Sequence, residues 1–158
     1  MILHHAQYYH VVCVCTAKPL VICDLRTNCA DVPILSISLD RPGDQVILDS
    51  VLRVEALVKG HDQGWSGYPR DRGTQCNAWA WYSIGTADPS AHEHRLATNL
   101  HAISETQTHG PFVWDRDSEV VRALRAERVL ELWAHARSVL AKVLKTGSIN
   151  CPLITVRV

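Results

Sequence analysis

The chain has 158 residues, with 16 Lys+Arg against 16 Asp+Glu, a formal net charge of zero and a pI of about 7.1. Balanced charge argues against nucleic-acid binding, which draws its affinity from Lys/Arg on phosphates. It also argues against an electrostatic membrane binder. Apolar residues at 47% and charged residues at 20% describe an ordinary globular chain with material for one core, not a disordered one.

The opening, MILHHAQYYHVVCVCTAKPLVICDL, has no basic n-region and places His and Tyr where a signal peptide needs an apolar stretch. No apolar run approaches the ~18 residues of a membrane span. The chain therefore reads as cytoplasmic, with reduced thiols and no membrane partner. Cys13, Cys15, Cys23 and Cys29 crowd the first thirty residues, while Cys76 and Cys151 stand apart. Their spacings make neither paired zinc knuckles nor a tidy disulfide framework. Among His4, His5 and His10, only His5 and His10 have a ligand-like spacing. No metal site and no cofactor is implied. Residues 1–30 read as an atypical segment, expected to pack less well than a single domain over 31–158.

Residues 9–15 and 20–25 are short β-prone runs. PILSISL, 33–39, alternates Leu35, Ile37 and Leu39 against Ser36 and Ser38, the pattern of a half-buried strand. Arg41-Pro42-Gly43-Asp44 marks a turn. QVIL, 45–48, is expected as a short strand. Over 51–59, Leu52, Val54, Ala56 and Val58 are expected to face inward, opposite Arg53, Glu55 and Lys59. Residues 60–76, with four glycines and Pro69, form a long loop. NAWAWYSI, 77–84, is the next strand, with Trp79 and Trp81 on one face.

After a linker over 85–93, residues 94–103 read as a strand that puts Arg95, Asn99 and His101 on one face. PFVWD, 111–115, is another short strand. The stretch 118–145 has helical apolar spacing, with Ser118 able to cap it and Gly147 able to end it. Yet 129–136 also alternates as a strand does, and periodicity alone leaves both assignments open. LITVRV, 153–158, closes the chain as a strand. Turns between short strands point to a mainly β, antiparallel sandwich with one helix within 118–145.

The densest cluster of chemistry is His61-Asp62-Gln63-Gly64-Trp65-Ser66-Gly67-Tyr68-Pro69, followed by Asp71, Gly73-Thr74, Trp79 and Trp81. This block resembles a group of uncharacterised fungal proteins with an HDQGWS-x-Y/H-P…GT/S…W-x-W signature. Arg95, Asn99, His101 and Ala102 resemble that group's R-x-x-x-N-x-H-A strand. Trp114 resembles its V-x-W strand, and residues 129–137 its I-x-L-W-A-x-A-R strand. The resemblance covers residues 34–137. It departs at Ala126-Glu127, where the group has Gly-Asp, and at 138–142, where the group continues with an aromatic, Pro, Gly and Trp. It implies a β-sandwich similar to galactose-binding-like jelly rolls, and no established activity.

Each candidate residue has a plain structural alternative. His61 and Asp62 could act as an acid/base pair, or Asp62 could hold backbone amides among glycines. Trp65, Tyr68, Trp79 and Trp81 could stack on sugar rings, or fasten the loop to its own domain. Arg95, Asn99 and His101 could line a concave site, or face solvent. Trp133, with Ala134 and Ala136, reads as core. A Cys76–His61 nucleophile would need a base in reach and a lowered thiol pKa. No G-x-S-x-G elbow, phosphate loop or H-E-x-x-H is present.

Three functional classes follow. The first is a non-catalytic ligand-binding module, for carbohydrate, using His61, Asp62, Gln63, Trp65, Tyr68, Asp71, Trp79, Trp81, Arg95, Asn99 and His101. The second is a protein-interaction module in a fungal regulatory protein, meeting a protein partner through the same loop. The third is a hydrolase, for which no complete constellation is legible. Long ordered loops in compact domains are often functional, which favours the first two.

Overall fold

The computed structural model describes residues 11–15, 20–21, 29–62, 64–87, 93–137, 148–149 and 153–157. Gln63, His4, His5, His10, Cys23, Gly147 and Cys151 lie outside them, as does the stretch 138–147. The fold is mainly β, two antiparallel sheets with a core between them.

The elements in order are β1 (Val11–Cys15), β2 (Leu20–Val21), β3 (Cys29–Ser38), α1 (Asp44–Ser50), β4 (Arg53–Gly60), β5 (Ala80–Gly85), β6 (His94–Thr98), β7 (Gln107–Asp115), α2 (Glu119–Glu127), β8 (Val129–Arg137), β9 (Ser148–Ile149) and β10 (Leu153–Arg157). The larger sheet runs β1-β10-β4-β9-β2, with β7 also paired to β4; the smaller runs β3-β8-β5-β6. Within the segment that the sequence sets apart, β1 pairs along its whole length with β10.

The alternation in β3 holds: Leu35, Ile37 and Leu39 are buried, and Ser36 and Ser38 are exposed. They meet Val54, Ala56 and Val58 of β4, Tyr82 and Ile84 of β5, and Leu130, Leu132 and Ala134 of β8. Leu52 departs from expectation. It precedes β4 and stays 37% exposed, so the inward face begins at Val54.

The run 45–48 is helical, not a strand. Asp44 sits in the first turn of α1, and its carboxylate accepts the Arg41 amide at 2.8 Å. Gln45 bonds Asp49 one turn on, and Leu48 and Val51 fall on one buried side. Arg125 then donates to the carbonyls of Leu48 and Val51, satisfying groups that a helix end leaves open.

The ambiguous stretch contains both assignments in succession. Ser118 caps α2, its hydroxyl accepting the Val121 amide, and Val120, Val121 and Leu124 are buried. The helix stops at Glu127, far short of Gly147, because Arg128 adopts a left-handed conformation (φ 60°) and bonds back to Leu124. Val129–Arg137 then pairs on both sides, with β3 and with β5. That double pairing overrides helical spacing.

The strand expected at 111–115 begins earlier, at Gln107, with a register shift opposite Ala56/Val58. Gly110 takes up that irregularity at φ +102°, where a Cβ would lie 2.8 Å from the Ala56 carbonyl. In a sequence, Gly110-Pro111 reads as a turn; here it is absorbed inside a strand.

Candidate functional site

The long connection from β4 to β5 carries most of the block, and buried polar groups hold it down. Asp62 is only 5% exposed, and its Oδ2 accepts the Ala102 amide at 2.8 Å. The same oxygen lies 3.9 Å from His101 Nδ1. On the other side of that imidazole, Nε2 contacts the Ser66 hydroxyl, which also accepts the Tyr68 amide at 2.6 Å. With the imidazole proton on Nδ1, the side that faces the Asp62 carboxylate, Nε2 accepts the Ser66 proton. Backbone bonds from Gly73 to the His101 carbonyl and from His101 to the Thr74 carbonyl tie the two loops together. Gly64, at φ +75°, packs where a Cβ would come within 2.8 Å of Ser104.

Asp62 thus holds a backbone amide, and His61 does not pair with its carboxylate. His61 Nδ1–H donates to the Asp62 carbonyl at 2.6 Å. Asp71 accepts Asn77 at 2.6 Å and helps shape the loop. Cys76 is an exposed free thiol.

Arg95, Asn99 and His101 do not share a strand face, which corrects the expectation. β6 ends at Thr98, and the Asn99 amide turns to the Ala80 carbonyl. Arg95 is exposed, while Asn99 and His101 are each 1% exposed. Asn99 donates to the Tyr82 hydroxyl at 3.0 Å and accepts from His109 Nε2 at 3.0 Å. Burial pushes the Tyr82 phenol up to about 12, the nearby Asp62 charge adding to the rise and the Asn99 bond opposing it. Burial lowers His109 below its ordinary value.

Trp65 and Tyr68 are different: they lie 47% and 46% exposed on the held loop. Trp79 is half-buried, and its carbonyl accepts the Arg137 amide.

Trp81 belongs to another cluster, on the outer face of the smaller sheet. Arg95 lies over the indole from β6, its guanidinium carbon 5.0 Å from the ring centre. From β8, on the other side, Arg137 approaches at 5.0 Å and the His135 ring stacks at 5.0 Å and 8°. His135 Nδ1–H donates to Asp31 at 2.7 Å, and Nε2 faces Ser83 Oγ at 2.6 Å and Glu93 at 3.1 Å. Arg137 clasps both oxygens of Asp31. Burial would raise the Asp31 carboxyl, but the bonds and charges of Arg137 and His135 outweigh it and hold it below its ordinary value. Trp133 is buried as expected, yet on this outer face opposite Pro33, with its indole N–H unpaired among the described residues.

The sequence reading missed Asp31, Ser83, His135 and Arg137, which meet only through strand register. It also missed the pairing of Ser66 with His101, although both residues stand in the quoted motifs. Among the described residues no group of three His, Cys, Asp or Glu is placed to hold a metal ion, and no helix is long and apolar enough to cross a membrane. Comparison with protein-family models, curated proteins and solved structures finds no match for this chain.

Proposed function

We propose that the chain is a ligand-binding module that takes carbohydrate on the loop between β4 and β5, through Trp65 and Tyr68. One observation carries this reading: two large aromatics stay about half exposed on a loop whose base is fixed by buried Asp62 and His101. Leaving half of an aromatic side chain's ~200 Å² in water forgoes about 2–3 kcal/mol of burial. A loop made only to cover its own domain would turn such rings inward. Aromatic planes suit the C–H faces of sugar rings, and a held loop orders little on binding.

Trp81 plays a different part, since protein groups approach its indole from both neighbouring strands. A glycan array tests the carbohydrate reading, run with wild type and with a Trp65→Ala variant shown to be folded. The wild type is expected to bind a defined set of glycans, and the variant to lose at least ~10-fold in affinity. Absence of binding by the wild type sinks the carbohydrate reading. A Trp65-dependent protein capture would then favour the interaction module.

A further inference from the structure

We infer that Ser66 is a nucleophile for acyl transfer, with His101 as its base, Asp62 as the positioning residue and a carboxylic ester as the class of substrate. This goes beyond the binding reading and does not depend on it. The three side chains come from two loops and meet in the order carboxylate, imidazole, hydroxyl.

Three details favour chemistry over a simple loop fastening. The Asp62 carboxylate facing Nδ1 favours the imidazole proton on that nitrogen, so that Nε2 accepts the Ser66 proton while the Tyr68 amide holds the hydroxyl oxygen in place. His101 Nδ1 is nevertheless buried with no hydrogen-bond partner among the described residues, 3.9 Å from the carboxylate. A fastening gains nothing from a buried, unpaired N–H. A base that must become an imidazolium gains from a carboxylate there, and such bonds commonly tighten only when substrate is bound. Ser66 is also half-buried rather than sealed, and it stands between the exposed Trp65 and Tyr68.

The step balances without an added oxidant or cofactor. Ser66 Oγ bonds to the ester carbonyl carbon as its proton passes to His101 Nε2. The carbon–alkoxy bond breaks, and the alcohol leaves with that proton. Water then attacks the acyl-serine, giving a proton to His101. The Oγ–carbon bond breaks, the carboxylic acid departs, and Ser66 regains its proton.

Incubation with a fluorophosphonate probe, followed by intact mass and peptide mapping, tests this directly. One adduct per chain is expected, on Ser66, absent in Ser66→Ala and slowed ~100-fold or more in His101→Gln. Asp62→Asn is expected to slow labelling and to displace its pH profile, whereas a merely structural role leaves the profile in place. An unlabelled wild type, or an adduct on another serine, overturns the proposal. Because mapping the wild-type adduct is decisive alone, misfolding of a variant does not shelter it. Glycan binding without labelling would overturn the nucleophile and leave the binding reading standing.

Discussion

Among the described residues two sets of Asp, His and Ser come together, and their surroundings differ. On the outer face of the smaller sheet, Asp31, His135 and Ser83 form a closed set. Ser83 is fully buried, His135 is bonded at both nitrogens, and Arg137 clasps the carboxylate. At the loop, Asp62, His101 and Ser66 form an open set. The serine is half-buried, the carboxylate–imidazole gap is 3.9 Å, and exposed aromatics flank the hydroxyl. The first set is closed by satisfied bonds and by the burial of Ser83 and His135, whereas the second keeps access at Ser66 and an incomplete carboxylate–imidazole bond, the features on which the proposals rest.

The strongest way to break the comparison is to remove a ring from each region. Trp81→Ala removes a half-buried indole together with its Arg95, Arg137 and His135 contacts. A loss of about 2–4 kcal/mol is expected by denaturant titration. Next comes Asp62→Ala, which strips the buried Ala102 amide of its acceptor, with an expected loss of about 2–3 kcal/mol. Asp31→Ala should cost less, about 0.5–1 kcal/mol, because its side chain is 41% exposed.

pH sharpens the contrast. Asp31 is depressed in the fold, so its contribution is present above the unfolded value of about 3.9 and lost as pH falls below it. The stability gap between wild type and Asp31→Asn should accordingly close in acid. His109 is also depressed, so the unfolded chain takes up its proton first. Its contribution is present above about pH 6.5 and fades as pH falls through the folded value. In His109→Gln, thermal melts between pH 7 and pH 5 should lose that part of the slope. The smallest expected effect is on Trp65→Ala, whose stability should stay within about 0.5 kcal/mol of wild type.

The loop set was the more legible of the two because its pieces are local. Asp62, Trp65, Ser66 and Tyr68 stand in one block, and His101 in the next quoted motif. What sequence spacing could not supply was the turn after Thr98 that aims His101 back at Ser66 across 35 positions. The sheet-face set was hidden because Asp31 and His135 are 104 positions apart, and Ser83 and His135 are 52. Only register brings them together. β3 was readable from its period of two, but QVIL was too short for period to separate strand from helix. Over 118–137, the described part of 118–145, the double assignment was resolved by partners: α2 packs its apolar side on the core, while β8 finds strands on both flanks.

The central claim is that the loop, and not the sheet face, meets the ligand. Calorimetric titration of the strongest glycan-array hit tests this against wild type, Trp65→Ala and Arg95→Ala, since Arg95 is exposed and belongs to the sheet-face cluster. The account predicts a loss of at least ~10-fold for Trp65→Ala and less than ~2-fold for Arg95→Ala. The reverse order, or equal losses in the two variants, would contradict it.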